Sequence, residues 1–258
     1  MKKIDDRKTV LLKVLKSRGS MGIKEVIELL SISEATARRL FTLLQNEGKV
    51  IRTHGGIRCA KNNVFDYSFD DLEQYRGPEK ELIGTFAATL VKDNDVIFLD
   101  SGTTVLRMSM RLSEIIKEGK INNLTVVTNS LANVGVLYSV CKVILIGGEY
   151  RYKRRDFAGY ASEKLVRDFR FSQCFFGADG VDASDGFMTT DVDTARIGEI
   201  VIPRSEKATI LADSEKFNRR SLVIFSAIPS IDRIITDKKL TDEYIKLLNK
   251  SGVELIML

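Results

Sequence analysis

Five short segments between residues 100 and 217 combine glycine with hydroxyl, amide and charged side chains. They are 100–104, 128–130, 147–148, 177–180 and 212–217. Carboxylates and asparagine can bind sugar-type hydroxyls, while a Gly-Thr loop that opens a helix, together with a lysine, can hold a phosphate. One such segment alone is more often a structural turn, but five in succession favour a polyhydroxylated, anionic ligand. The candidate ligand-binding residues are Asp100, Ser101, Gly102, Thr103, Thr104, Asn129, Ser130, Gly148, Asp179, Gly180, Asp213 and Lys216.

The elements that would position these residues alternate along the chain from residue 79 onward. Short apolar runs such as 96–99, 124–128 and 142–146 are separated by stretches with helical periodicity. This alternation predicts an α/β domain with an open, mainly parallel sheet and helices on both faces. Because ligands in such folds bind beyond the carboxyl ends of the strands, the five segments are expected at one edge of the sheet.

A second group of residues, near the amino terminus, points to nucleic acid. Two helices joined by a short turn at 31–33 predict a helix-turn-helix, and the second helix buries an apolar stripe while its polar residues face away. Arginine suits guanine edges and phosphates, and threonine suits phosphates or thymine methyl groups. The segment 49–58 alternates like a hairpin with a Gly-Gly turn, which would form a basic wing. The candidate DNA-binding residues are Ser33, Thr36, Arg38, Arg39, Thr42, Arg52, His54, Gly55 and Arg58.

The charge distribution supports the assignment of nucleic acid to the amino-terminal part. Residues 1–60 hold seven lysines and six arginines against six acids, a net charge of +7, whereas residues 61–258 carry −2, within a total of +5. An isolated Arg-Arg pair is usually the solvated face of a helix, but the turn, the wing and this charge together favour DNA contact. A non-specific nucleic-acid-binding protein remains an alternative at this point.

These motifs resemble the DeoR-type family of bacterial sugar-operon repressors. The matching residues in the first part are Ser33, Thr36, Arg38, Arg39, Leu44, Gly48, Arg52, His54, Gly55 and Gly56. The chain departs from the family pattern with Ala37 for a β-branched residue, Leu40 for an aspartate and Phe41 for a leucine. In the second part the segments 100–104, 126–130, 147–148, 177–180, 186–190, 212–217 and 234–237 match, so the resemblance covers essentially the whole chain.

The resemblance implies a winged helix-turn-helix followed by a sensor domain similar in fold to ribose-5-phosphate isomerase. It implies a sequence-specific regulator, a repressor of a sugar-metabolism operon, whose effector is a phosphorylated sugar. The expected domains are a DNA-binding domain at 1–58, a linker at 59–78 and a sensor domain at 79–258. Because one winged helix reads few base pairs, a homodimer or homotetramer on a double-stranded operator is expected.

An isomerase-like enzyme is the main alternative raised by that fold. Its general acid and base would come from Asp179, Glu199, Asp213 and Lys216. The basic module in front of the domain argues against catalysis, so no catalytic residue is assigned. The basic run at 151–155 is interpreted either as an anion gate or as a solvated loop.

Several functional classes are disfavoured by composition. A single histidine cannot build a His-based metal site, and three scattered cysteines favour neither a disulfide framework nor a zinc site. No apolar stretch reaches the roughly 18 residues that a bilayer requires, and the amino terminus lacks a secretory apolar region. No metal, cofactor or membrane partner is therefore expected, and the predicted location is cytoplasmic.

Overall fold

The chain folds into two compact units, Met1–Asp66 and Tyr67–Leu258. The structure, a computed structural model, describes residues 2–18, 20–47, 49–53, 55–59 and 68–258. Each unit has a hydrophobic core of its own.

The small unit is a winged helix-turn-helix. Its elements are α1 (Lys2–Arg18), β1 (Ser20–Gly22), α2 (Ile23–Leu30), α3 (Glu34–Asn46), β2 (Val50–Thr53) and β3 (Gly56–Cys59). The turn between α2 and α3 begins at Ser31, which has a left-handed backbone (φ 48°), and ends at Ser33, whose side chain accepts the Thr36 N–H. An uncharged oxygen at this N-cap satisfies a helix donor that would otherwise lack a partner. The predicted stripe of α3 is confirmed as buried: Ala37, Leu40, Phe41 and Leu44.

The wing differs in detail from the predicted Gly-Gly turn. Strands β1, β3 and β2 form one antiparallel sheet, in which Gly56 pairs with both Thr53 and Gly22 and therefore belongs to β3. A Cβ at Gly56 would lie 2.0 Å from the Met21 carbonyl oxygen. Gly56 is therefore required by the close approach of β1, which a sequence pattern for a hairpin alone does not reveal.

The large unit is built on a seven-stranded parallel sheet, in the order β15-β14-β12-β9-β4-β5-β6. Its strands are β4 (Val96–Leu99), β5 (Thr125–Thr128), β6 (Lys142–Leu145), β9 (Phe171–Gly177), β12 (Ser205–Leu211), β14 (Arg233–Thr236) and β15 (Glu254–Met257). The helices are α4 (Phe69–Gln74), α5 (Gly77–Ala88), α6 (Thr103–Lys117), α7 (Leu131–Leu137), α8 (Tyr160–Val166), α9 (Val192–Val201) and α10 (Asp242–Lys250). Two apolar clusters cover the sheet, so the central strands are buried on both faces.

The remaining strands lie outside the main sheet. They are β7 (Glu149–Arg151), β8 (Asp156–Ala158), β10 (Gly180–Asp182), β11 (Gly186–Thr189) and β13 (Val223–Ser226). Strands β7 and β8 form a hairpin, and β10, β11 and β13 form a small antiparallel sheet. The prediction of a mixed α/β protein with an amino-terminal helix-turn-helix and a parallel sheet is confirmed. The segment 59–78, predicted as a linker, contains α4 and the beginning of α5.

None of the helices that the structure describes is long and apolar enough to cross a membrane.

Helices α5 and α6 approach so closely at Gly84 that a larger residue has no room. A Cβ there would lie 2.6 Å from the Met108 backbone nitrogen and 2.8 Å from the Arg107 carbonyl carbon. We expect Gly84→Ala to lower the stability of the large unit by about 1–3 kcal/mol, because overpacking outweighs the better helix propensity of alanine. Denaturant unfolding measures the change.

Gly135→Ala in α7 is the matched control. A Cβ at Gly135 meets no atom within 4 Å. This substitution should leave stability unchanged or raise it by up to about 1 kcal/mol. Equal effects of the two substitutions would contradict the close approach of α5 and α6.

Candidate functional site

A pocket lies at the carboxyl ends of β4, β9 and β12, where the sequence places three of its five segments. Its walls come from the loops that follow these strands, from α4 and α5, and from the β7–β8 hairpin and β11. The lining residues are Leu72, Lys80, Asp100, Ser101, Gly102, Thr103, Thr104, Arg154, Phe176, Gly177, Ala178, Asp179, Thr189, Thr194, Leu211, Ala212, Lys216 and Phe225.

The loop after β4 delivers the amino terminus of α6 to this pocket. The helix begins at Thr103, and its N-cap residue, Gly102, offers no side chain to the first-turn N–H groups. Those donors and the positive end of the helix dipole favour an anion at this point. Thr103 and Thr104 are nearly buried and line the pocket, so their hydroxyls add further polar groups.

Three basic side chains from distant parts of the chain line the pocket: Lys80 on α5, Arg154 in the β7–β8 turn and Lys216 after β12. Lys80 is only 2% exposed. Burial, together with the charge of Lys216, lowers the pKa of Lys80 to about 8. One buried and two partly buried cations in the same pocket make it electropositive, which suits an anion.

Two carboxylates, Asp100 and Asp179, lie in the same pocket. Burial raises the pKa of Asp100 to about 6, against hydrogen bonds from the Ser101 and Gly177 backbone, and the Gly177 N–H lies 3.3 Å from its Oδ2. Burial also acts to raise the pKa of Asp179, but Lys216, Arg154 and the Thr190 hydrogen bonds outweigh it, so the pKa is lowered. Asp179 is therefore held as an anion that can accept hydrogen bonds from a hydroxylated ligand.

A layer behind the pocket fixes the loop after β4. Arg151 donates to both oxygens of the buried Asp156, Nε to Oδ1 at 2.8 Å and Nη2 to Oδ2 at 2.7 Å. Asp156 in turn accepts the Ser101 hydroxyl at 2.9 Å, and Arg151 also donates to Thr194 Oγ1 at 2.9 Å and to Asp191. Bidentate arginine–carboxylate pairs are geometrically specific. The network therefore sets the positions of two pocket residues, Ser101 and Thr194.

The basic run 151–155 consequently has divided roles. Arg151 is held in this network, and Arg154 lines the pocket, whereas Tyr152 is 81% exposed. Neither a wholly solvated loop nor a uniform gate describes the run, because Arg151 and Arg154 are partly buried while the residues between them are exposed.

The structure brings seven of the twelve predicted ligand-binding residues to the pocket: Asp100, Ser101, Gly102, Thr103, Thr104, Asp179 and Lys216. The other five lie outside its lining. Asn129 Nδ2 donates to the Phe157 carbonyl at 3.1 Å, and Ser130 caps α7. Asp213 forms an ion pair with Arg76 at 3.1 Å.

Gly148 and Gly180 are also outside the pocket lining, and both allow close packing. A Cβ at Gly148 would lie 2.1 Å from Ser162 Oγ, and one at Gly180 would lie 2.3 Å from the Arg219 carbonyl oxygen. Chain segments that are distant in sequence pack against these glycines, which is a sufficient reason for glycine at both positions.

Sequence reasoning missed Leu72, Lys80, Thr189 and Thr194 as pocket residues, and it included Arg154 only within a run interpreted as an anion gate or a solvated loop. One signal was available for Lys80. It falls at helical spacing with the buried Ile83, Gly84 and Ala87, so a charged residue occupies the apolar stripe of α5. A lysine is rarely buried unless a partner compensates its charge, and an anion in the pocket would be such a partner.

In the small unit, α3 presents the predicted polar residues on its exposed side. Ser33 and Thr36 are joined at the start of the helix by hydroxyls 2.9 Å apart. Arg38 donates to Glu34 Oε1 from Nε at 2.9 Å and from Nη2 at 2.6 Å, and Thr42 Oγ1 donates to the Arg38 carbonyl at 3.1 Å. To contact DNA, the Arg38 guanidinium must either break its ion pair with Glu34 or keep it and donate its remaining N–H groups to the DNA.

The wing approaches this face of α3. Arg52 Nη1 donates to Thr42 Oγ1 at 3.3 Å, and the Gly55 carbonyl accepts the Ile23 N–H at 2.8 Å. Arg39 is exposed on α3 and lies with Arg38 on one surface of the helix. Arg58 contributes its backbone to β3, with its side chain outside the described part of the chain, and His54 lies outside the described residues. The Arg52–Thr42 hydrogen bond thus joins polar side chains of the wing and of the helix that a helix-turn-helix places in the major groove.

The residues nominated for isomerase chemistry do not converge. Glu199 is exposed on α9, forms an ion pair with Arg196 at 2.6 Å and does not line the pocket. Asp213 is held by Arg76, which leaves Asp179 and Lys216 in the pocket. A lowered pKa makes the Asp179 carboxylate a weak general base.

A winged helix-turn-helix joined to a ligand pocket on a parallel sheet defines a DNA-binding transcriptional regulator. Residues 7–63 match the DeoR-like helix-turn-helix domain, and residues 76–238 match the DeoR C terminal sensor domain. The chain belongs to the DeoR family.

Similar proteins extend over nearly the full chain. The lactose phosphotransferase system repressor of Staphylococcus epidermidis is 30% identical, with 97% of this chain and 98% of that protein covered. The protein of the same name from Streptococcus mutans is 30% identical over 94% of this chain and 96% of its own length. The putative aga operon transcriptional repressor of Escherichia coli O157:H7 is 26% identical, with 98% and 93% covered.

Among solved structures, a D-ribose-5-phosphate isomerase is similar to part of this chain at a TM-score of 0.41 and 18% identity. The match covers 54% of this chain and 52% of the isomerase chain.

Proposed function

We propose that the protein is a sequence-specific repressor of a sugar-metabolism operon and that a phosphorylated sugar bound in the pocket controls its binding to a double-stranded operator. The observation that carries the proposal is the convergence of Lys80, Arg154 and Lys216 with the amino terminus of α6 and two carboxylates in one pocket. The bases and the helix terminus suit a phosphate, and the carboxylates suit sugar hydroxyls.

The role of repressor is supported by the relatives. Two of them, at 30% identity over nearly the full chain, bear the name of repressors of a lactose phosphotransferase system. The same proposal assigns residues 1–58 to DNA binding, 59–78 to the connection and 79–258 to effector binding. A homodimer or homotetramer follows from the short sequence that one winged helix can read.

Thermal unfolding of the full chain against a panel of sugar phosphates and their unphosphorylated parents tests the effector. A ligand present at 100 times its Kd stabilises the folded state by about 2.7 kcal/mol, so a phosphorylated sugar should raise the melting temperature of the large unit. The parent sugar should not, because it lacks the charge that the three bases attract. Equal shifts with both members of every pair, or no shift with any, would refute the anion site.

Lys216→Met should weaken binding of the phosphorylated sugar about 10- to 100-fold, because a charge-assisted hydrogen bond in a buried site is lost. Operator binding in the absence of the sugar should stay unchanged, since Lys216 belongs to the large unit. Lys207→Met is the control, because Lys207 is exposed and forms an ion pair with Asp232 away from the pocket. Loss of operator binding by Lys216→Met with normal sugar binding would reverse the assigned roles.

A further inference from the structure

The buried ammonium of Lys80 has an unusual set of partners. In the part of the chain that the structure describes, it forms no ion pair, and its one hydrogen bond goes to the Leu72 carbonyl oxygen of α4. The side chain is nearly inaccessible to water, and the charge of Lys216 acts against the ammonium more strongly than the carboxylate of Asp213 favours it. A single neutral acceptor compensates a buried ammonium poorly, because an ammonium has three donors.

The Leu72 carbonyl has Lys80 as its hydrogen-bond donor. Leu72 lies in the last turn of α4, a helix of six residues that ends at Gln74. The last four carbonyl groups of any helix have no intrahelical partner and need other donors. Here Lys80 serves the Leu72 carbonyl, and Arg107 Nη2 lies 3.5 Å from the Glu73 carbonyl. Two basic side chains of the large unit therefore hold the carboxyl end of α4.

The amino end of α4 is held independently. Phe69 is 1% exposed, its N–H donates to the Lys153 carbonyl at 2.9 Å, and the Arg155 guanidinium lies 5.5 Å from its ring centre. Arg155 also pairs with Asp70 at 2.8 Å. Since these contacts do not involve Lys80, loss of the lysine contact would loosen the carboxyl end of α4 without detaching the helix.

Leu72 and Lys80 line the same pocket, and α4 is the first element of the large unit in the chain. The segment 60–67 connects it in sequence to the DNA-binding unit. The pocket is thus partly walled by the chain segment that leads directly to the DNA-binding unit.

We infer that Lys80 is a ligand-sensitive latch: an anion in the pocket takes the Lys80 ammonium away from the Leu72 carbonyl and thereby loosens the carboxyl end of α4. This inference rests on the proposed function, because the anion is the phosphate of the proposed effector. It adds a route by which occupancy of the pocket changes the chain segment that follows the DNA-binding unit in the sequence.

The exchange of partners is favourable for a physical reason. A phosphate oxygen bears negative charge, so its contact with the ammonium gains a Coulomb attraction between opposite charges that the neutral Leu72 carbonyl does not offer. The proposal requires the ammonium to move toward the anion and out of reach of the Leu72 carbonyl, so that a ligand bound in this way favours the released state. A ligand that prefers one of two states shifts the population toward that state.

Hydrogen exchange of the full chain, with inorganic phosphate as the probe, tests the latch. Binding of phosphate is read separately from the line width of its phosphorus resonance. When phosphate is bound, the amides of residues 72–74 should exchange about tenfold faster, since loss of a charged hydrogen bond shifts local opening by about that factor. The amides of β4 should not exchange faster, and they should slow to the extent that bound phosphate stabilises the large unit.

Lys80→Met supplies the second arm, because methionine keeps most of the apolar volume and removes the donors. In the absence of phosphate this variant should show the fast exchange at 72–74 that phosphate produces in the wild type, and phosphate should add nothing. Lys120→Met is the control, since Lys120 is exposed and pairs with Glu118. It should behave as the wild type.

The outcomes separate the two hypotheses. Bound phosphate with unchanged or slower exchange at 72–74, or normal protection in Lys80→Met, overturns the latch and leaves the pocket assignment intact. Failure of the wild type to bind phosphate or any sugar phosphate overturns the proposed function and the latch with it.

Discussion

Arg38→Ala/Arg39→Ala should bind operator DNA at least about 30-fold more weakly than the wild type, because each arginine can supply about 1–3 kcal/mol of base or phosphate contact. Both side chains are exposed on one surface of α3, and their removal leaves the buried stripe of the helix intact. A gel-shift titration with DNA flanking the chain's own gene, compared with a scrambled duplex, measures specific and non-specific affinity together.

The salt dependence of the same titration distinguishes the kinds of contact. Each phosphate contact that is lost should reduce the slope of log K against log salt by about one unit. If the arginines read base edges, affinity for the operator should fall further than affinity for the scrambled duplex. Equal affinity of the wild type for both duplexes would favour the non-specific nucleic-acid-binding alternative.

The matched control is Arg111→Ala/Arg196→Ala, which removes the same charge from the large unit. Arg196 resembles Arg38 closely: its side chain is 54% exposed, against 57%, and it pairs with a glutamate on its own helix. Arg111 pairs with Glu114 in the same way. If this control weakens operator binding as much as the α3 variant, net charge is responsible and the assignment of the recognition helix is wrong.

Local patterns predicted the helix-turn-helix and the parallel sheet because both are specified by short-range periodicity. The stripe of α3 and the apolar strands of the sheet follow from spacings of three to four residues and from continuous apolar runs. The position of the pocket loops was predicted from one further rule: the carboxyl ends of parallel strands lie at a common edge of the sheet. Asp100 and Lys216 were identified on that basis, although they lie far apart in sequence.

The parts that the sequence did not predict depend on contacts between distant residues. Asp213 was assigned to the ligand, but Arg76, which lies more than a hundred residues away, pairs with it. The short strands β7 and β10 of three residues each carry too little periodicity to be recognised. Lys80 was overlooked although its helical spacing places it on the apolar stripe of α5, because that spacing indicates burial but does not show that a pocket adjoins the stripe.

Asp100→Asn should stabilise the large unit at neutral pH, because the native carboxylate is destabilising. Its side chain is 6% exposed, and burial raises the pKa to about 6, with Asp156 and Asp179 adding repulsion. The folded state therefore binds the proton more tightly than the unfolded state, whose pKa is near 3.9. Native stability is accordingly greatest below about pH 4 and falls as the pH rises toward 6.

Above pH 6 the cost of the ionised Asp100 amounts to about 3 kcal/mol, and about half of it remains at pH 5. The amide has no such cost, and its oxygen can still accept the Gly177 N–H. The stability of Asp100→Asn should therefore exceed that of the wild type by about 3 kcal/mol at pH 8 and by about half as much at pH 5. Denaturant-dependent hydrogen exchange of the β4 amides reports this difference for the large unit alone.

A destabilising carboxylate in a pocket is consistent with a role in binding, because functional sites often retain groups that weaken the fold. Asp100→Asn should accordingly bind the phosphorylated sugar about tenfold more weakly, since a charged acceptor for its hydroxyls is lost. Asp168→Asn, at an exposed position, should change neither property. If Asp100→Asn has unchanged stability at pH 8, or the same pH dependence of stability as the wild type, Asp100 is not the group that titrates near pH 6. If its affinity for the sugar is unchanged, Asp100 does not belong to the binding site.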